Sequence, residues 1–150
     1  MQRFARLIAS GFGSGFAPAA PGTAGSLVAL AIGAGLLWVG PYGLPVATAL
    51  ALGAGLWAIG AAGGSDDPGW VVIDEFVGQF LAMLALARPS PAGLALAFGL
   101  FRLLDVTKPG PIGWADRRHG ALGVMGDDVI AGGLAGLVVW AMHATWPGIV

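Results

Sequence analysis

Five apolar segments between Ala24 and Thr145 constrain this chain more than any other feature, because each approaches the length that crosses a lipid bilayer. The first covers about Ala24 to Val39, and the second about Pro45 to Ala62, after the turn-rich GPYGL. The third opens at Asp67-Pro68, an N-cap residue followed by proline at the first helical position, and runs to Ala87. The fourth repeats that signal at Ser90-Pro91 and runs to about Thr107, where Lys108 precedes a proline and is pushed out of α geometry. The fifth runs from Asp127 or Asp128 to about Thr145. At ~1.5 Å per residue these are helices of about 24 to 30 Å, against a hydrocarbon core of ~30 Å. Composition agrees, since 57% of residues are hydrophobic and only 10% charged, where a soluble domain carries about 25% charged residues. Twenty-seven glycines suit helices that approach one another closely in lipid. The predicted fold is all-α: one polytopic membrane bundle over residues 1–150 with about five transmembrane segments, or four with the first or fourth re-entrant.

Charge sets the orientation. Arg3, Arg6 and APAA (17–20) do not make a signal peptide, because the intervening IASGFGSGF lacks a continuous apolar core. Threading five passes puts residues 1–23, 63–70 and 108–126 on one side. The turns at 40–44 and 88–90, with the C-terminus, fall on the other. Arg3, Arg6, Arg102, Lys108, Arg117 and Arg118 then lie on or beside the first side and Arg88 alone lies opposite, so the first side and the N-terminus are cytoplasmic. Asp66, Asp67, Asp74, Glu75, Asp105, Asp116, Asp127 and Asp128 gather at the same ends. Acids contribute little to topology, so their asymmetry points to a site at the cytoplasmic face. A net charge of −1 offers nucleic acid no polycationic surface. The absence of cysteine removes disulfides, thiolate metal sites and cysteine nucleophiles.

Three stretches could carry chemistry. In VVIDEFVGQF (71–80), Asp74 lies six residues past Pro68, so about 9 Å into its predicted helix, where an acid is costly and needs a partner. Asp74 shares a helix face with Gly78, and Glu75 shares one with Gln79. In FRLLDVTKPGPIGWADRRHGALGVMGDDVIAG (101–132), Arg102 and Asp105 share a face, Lys108 follows at the helix exit, and Asp127-Asp128 open the fifth helix. One aspartate would suffice as an N-cap; the second asks for another explanation. Oxygen-only ligands favour a hard cation, and Mg²⁺ is commonly held by one or two carboxylates plus substrate phosphates. In GFGSGFAPAAPGTAGSL (11–27) neither a dinucleotide fingerprint nor a P-loop is present. Gly22, Thr23 and Ser26 nevertheless sit where the first helix begins, a position whose backbone N–H groups suit phosphate. The bland alternative is a flexible arm. His143 reads as interfacial, and nothing near His119 marks it as a nucleophile.

APGTAGS (20–26), VVIDEFVGQ (71–79), FRLLDVTKPGPI (101–112) and GVMGDDVIAG (123–132) together resemble the phosphatidylglycerophosphatase A family of bacterial membrane phosphatases, in order and spacing and over nearly the whole chain. The resemblance implies a Mg²⁺-dependent enzyme that converts phosphatidylglycerophosphate to phosphatidylglycerol and phosphate at the cytoplasmic leaflet of the inner membrane. Asp74, Glu75, Asp105, Asp127 and Asp128 would supply metal ligands and a general base. Arg102 and Lys108 would hold phosphate oxygens, with Gly22, Thr23 and Ser26 assisting. Asp105-Val106-Thr107 resembles part of the haloacid dehalogenase D-x-D-x-T signature but lacks its second aspartate, which favours activated water over an aspartyl nucleophile. The competing class is a small ion or proton-coupled transporter, for which intramembrane acids are also a sign. It should line the whole span with polar groups, whereas the outer halves of these segments hold no ionisable residue but His143.

Overall fold

The computed structural model describes residues 1–145, and every regular element among them is helical. The order is α1 (Gln2–Ala9), one 3₁₀ turn (Ser14–Phe16), α2 (Pro21–Val39), α3 (Gly43–Ala62), α4 (Ile73–Met83), α5 (Pro91–Thr107), α6 (Pro111–Asp116) and α7 (Ala121–Thr145). By length and composition α2, α3 and α7 can cross a membrane. The C-terminus, expected on the outer side, lies outside the described residues.

α5 matches its expected bounds, and the Ser90 hydroxyl caps it by accepting from the Gly93 N–H at 3.0 Å. The third segment departs from expectation. Asp67-Pro68 starts no helix; Asp67 takes a positive φ of 51° and α4 begins only at Ile73. With 11 residues, α4 is about 16 Å long, too short to cross lipid as a helix. Nine of those residues are buried, so α4 lies within protein rather than against lipid. Non-helical backbone beside it, at Val71 and Val72, is likewise buried, the condition under which irregular chain is tolerated at membrane depth. Asp74 and Glu75 are therefore not six residues into a span. They occupy the first turn of α4, where unpaired N–H groups and the helix dipole favour negative charge.

The fifth segment departs too. α7 starts at Ala121, so Asp127 and Asp128 lie two turns inside it and neither caps its start. Gly120 (φ 84°) ends the preceding loop, and its carbonyl accepts from the Val124 N–H at 3.1 Å. Gly126, between Met125 and Asp127, faces Ala115 of α6, and a Cβ there would meet that methyl at an ordinary 3.7 Å.

α4 is the axis of the bundle and packs against α2, α3, α5 and α7. Its apolar residues Val77, Phe80 and Met83 join Leu44, Ile59, Phe101, Met125 and Val139 in one core. Its closest approach is to α7. A Cβ on Gly132 would overlap the Gly78 carbonyl and lie 2.7 Å from Gly78 Cα, and one on Gly136 would lie 2.8 Å from the Leu81 carbonyl oxygen. The two helices thus run in the same direction in glycine-mediated contact, the small-residue packing expected of membrane helices.

The N-terminal arm is ordered rather than flexible. Ala5 and Ala9 of α1 are buried with Ala58 of α3, and the Ala9 carbonyl accepts from the Val72 N–H at 2.9 Å. Phe16 stacks on Trp70, with the Arg6 guanidinium 5.5 and 5.0 Å from the two ring centroids. Residues 1–16 therefore brace the stretch that leads into α4. At the opposite end, Leu37, Trp38, Leu84, Arg88 and His143 line one groove of about 780 Å³.

Candidate active site

The ends of α2, α4 and α5 and a stretch two turns into α7 deliver the site. α2 begins at Pro21, not Ala24, because proline at the first helical position needs no hydrogen-bond acceptor for its nitrogen. Gly22 and Thr23 thereby fall in its first turn and Ser26 in its second. A side chain at Gly22 would overlap Glu75 Oε1 and meet Arg102 Nη1 at 3.4 Å, so only glycine lets α2 close against both. Arg102, from the end of α5, donates to Ser26 Oγ at 3.4 Å and to Thr23 Oγ1 at 3.5 Å, and pairs with Asp105 one turn on. Ser26 in turn donates to the Gly22 carbonyl at 2.8 Å.

The carboxylates form two groups joined by one residue. Asp74, Glu75 and Asp128 each place an oxygen within 4.8 Å of the others, and so do Asp105, Asp127 and Asp128. Asp128 belongs to both. The helix seam explains the meeting: Asp74 precedes Gly78 by one turn on α4, and Asp128 precedes Gly132 by one turn on α7. Contact between the glycines therefore sets the distance between the acids. Asp74 Oδ1, Glu75 Oε2 and Asp128 Oδ1 are buried without a hydrogen-bond partner. Carboxylate oxygens grouped in this way could hold a hard cation.

Lys108 completes the rim. It ends α5 in the left-handed region (φ 45°), outside the right-handed helical geometry that Pro109 disfavours, and its ammonium donates to Asp127 at 2.8 Å and pairs with Asp116. Burial alone would lower the Lys108 pKa, but these two ion pairs outweigh it and hold the group above its ordinary value. Asp116 comes from α6, a short helix within the stretch 108–126 that the sequence places between the fourth and fifth segments. Beyond this pair a cavity of about 310 Å³ is lined by Asp66, Asp67, Asp116, Arg118, His119 and Asp127.

All ten residues expected at the site therefore meet in one cluster. His119 stays outside it, on the exposed wall of that outer cavity. The Thr107 hydroxyl donates to the Leu103 carbonyl at 2.6 Å, so the partial D-x-D-x-T pattern serves its own helix. Sequence reasoning did not single out two residues. Asp116 has no local signal, since it depends on how α6 folds back. Gln79 had one, its i, i+4 relation to Glu75; it is fully buried, and both its amide atoms lack partners. Donor-rich Arg102 and acceptor-rich carboxylates side by side suit a phosphate ester held against a cation.

A family profile for phosphatidylglycerophosphatase A matches residues 7–143. A protein of that name from Escherichia coli (strain K12) is 38% identical over 145 residues, covering 94% of this chain and 84% of its own length. Another of that name from Haemophilus influenzae is 40% identical over 142 residues, covering 91% and 87%. A Bacteroides thetaiotaomicron protein provisionally named phosphatidylinositol-3-phosphatase is 40% identical over 135 residues, covering 84% and 85%. No solved structure is significantly similar. The profile runs through every residue of the cluster from Gly22 to Asp128, and with relatives matched over most of their length the chain belongs to the phosphatidylglycerophosphatase A family of phosphatases.

Proposed function

We propose that this protein hydrolyses the terminal phosphomonoester of phosphatidylglycerophosphate, with Mg²⁺ as cofactor, at the cytoplasmic leaflet of a bacterial inner membrane. The observation that carries this reading is the double carboxylate group sharing Asp128, set against the Arg102 guanidinium with its Thr23 and Ser26 partners. Five passes of one chain fit the arrangement, since residues from both expected outer turns and His143 of α7 line one groove at the end away from the acids. The third pass would be completed by non-helical chain beside α4, which is buried at Val71 and Val72 on its N-terminal side.

Asp74, Asp105, Asp127 and Asp128 would hold the metal, with Glu75 beside Asp74 and Asp128 as the general base. Bound there, Mg²⁺ would offset the phosphomonoester's charge and lower the pKa of an attacking water. Arg102 holds two phosphate oxygens through its planar fork and stabilises charge as the ester bond breaks. The first-turn N–H groups of Gly22 and Thr23 face the same ligand. Glu75, with Oε2 unpartnered, takes the proton of the water and returns it to the departing alkoxide oxygen. Lys108 keeps Asp127 in place and adds positive charge at the rim.

Purified wild type should release phosphate from phosphatidylglycerophosphate with Mg²⁺, stop on chelation, and recover when Mg²⁺ is restored. No release in either condition would remove the reading. Gly22→Ala gives a finer test. The added methyl meets the mobile end of Glu75 rather than backbone, so the fold should survive while Glu75 is displaced. Displacement of about 1 Å should cost about 10²-fold in kcat with Tm unchanged; wild-type kcat would separate Gly22 from the site.

A further inference from the structure

Gln79 sits one turn beyond Glu75 on the same face of α4, fully buried, with neither Nε2 nor Oε1 hydrogen-bonded. Buried primary amides are ordinarily satisfied, because an unmade hydrogen bond leaves the desolvation of the group uncompensated. Helical side chains lean toward the N-terminus of their helix, so the amide is carried back toward Glu75 and the carboxylates. Glu75 Oε2 is itself buried and unpartnered. The amide thus lies toward Glu75, with neither of its polar atoms paired.

The chemistry of that ligand follows from what would satisfy both atoms. An ionised phosphate oxygen accepts only, so it would serve Nε2 and leave Oε1 orphaned. A cation would serve Oε1 and leave Nε2 orphaned. Glu75 Oε2 could take one Nε2 hydrogen, but Oε1 would still lack a donor. A hydroxyl both donates and accepts, so this one group completes the amide, where phosphate and cation would both have to reach it. Building on the phosphatase reading above, we propose that Gln79 is a specificity-determining residue that binds a free hydroxyl of the lipid headgroup. The preferred substrate is then a lipid phosphomonoester with a hydroxyl close to the scissile phosphate, such as the single free hydroxyl on the headgroup glycerol of phosphatidylglycerophosphate.

The test is a cycle of two enzymes and two lipids. Wild type and Gln79→Met are assayed on phosphatidylglycerophosphate and on an analogue in which CH₂ replaces the headgroup carbinol. Wild type should prefer the hydroxylated lipid by about 10-fold or more in kcat/KM, because the analogue leaves a buried amide unpaired. Gln79→Met should lose that preference while its kcat/KM on the analogue stays within about 2-fold of wild type. Its Tm should hold or rise, since methionine fills similar space without orphaned polar atoms. A preference that survives in Gln79→Met overturns the proposal. So does an equal loss on both lipids with a lowered Tm, which would mean that the amide serves the protein. Turnover of neither lipid by wild type would instead strike down the phosphatase reading, and the hydroxyl contact with it.

Discussion

Asp128→Asn is expected to lower phosphate release by about 10³-fold or more, the largest loss of any single substitution at this site. Every other acid in the cluster belongs to one carboxylate group, whereas Asp128 supplies an oxygen to both. Asparagine keeps the shape but removes a negative charge and points an N–H₂ donor at acceptors. Both groups are then weakened together, and Mg²⁺ affinity should fall with the rate. Stability should move the other way. Asp128 is 2% exposed and crowded by Asp74, Glu75, Asp105 and Asp127, so neutralising it relieves like-charge repulsion in the metal-free protein. The paired measurement is phosphate release against Mg²⁺ concentration and Tm under chelation. A variant within 10-fold of wild type at saturating Mg²⁺ would remove Asp128 from the chemistry.

Gly132→Leu is expected to damage fold and activity at once. Its side chain would be driven into the Gly78 backbone of α4, and neither helix can yield without opening the core around Phe101, Met125 and Val139. Overpacking of this kind costs about 3 kcal/mol, or roughly 6–12 °C in Tm for a chain of this size. The same displacement separates Asp128 from Asp74, so activity should fall by about 10²-fold for each ångström. Gly133→Leu is the control. A Cβ there meets nothing within 4 Å, so the added apolar group faces open space and both readouts should stay near wild type. Indistinguishable behaviour of the two variants would mean that the glycine seam does not set the carboxylate spacing.

Much of the site was legible because its parts carry local chemical signals. Ser90-Pro91 placed the start of α5, and proline after Lys108 placed its end. Arg102 and Asp105 paired as three-residue spacing requires. Acids confined to one end of the later segments indicated where those segments must converge. Local signals misled where tertiary context overrode them. Asp67-Pro68 has the chemistry of a helix start, yet the chain there stays non-helical for five further residues, braced by the N-terminal arm at Ala9, Phe16 and Arg6. Asp127 looked like a cap because aspartate is a favoured N-cap residue and an apolar run follows it. In fact the glycine-rich stretch from Ala121 joins the helix, packed under α6.

By itself the sequence determined an all-helical chain with apolar lengths suited to lipid and an acid–base cluster confined to one end. It could do so because hydropathy, helix-breaking residues and the cost of a charge in lipid are properties of short stretches. Only the tertiary structure decided that α4 is a short, protein-enclosed helix, that Asp128 joins two carboxylate groups, and that Gln79 is buried with its amide unpaired. Those facts depend on how closely α2, α5 and α7 approach α4. That approach is set by close contact at Gly22, Gly78 and Gly132, residues with no side chain through which a sequence could announce a partner.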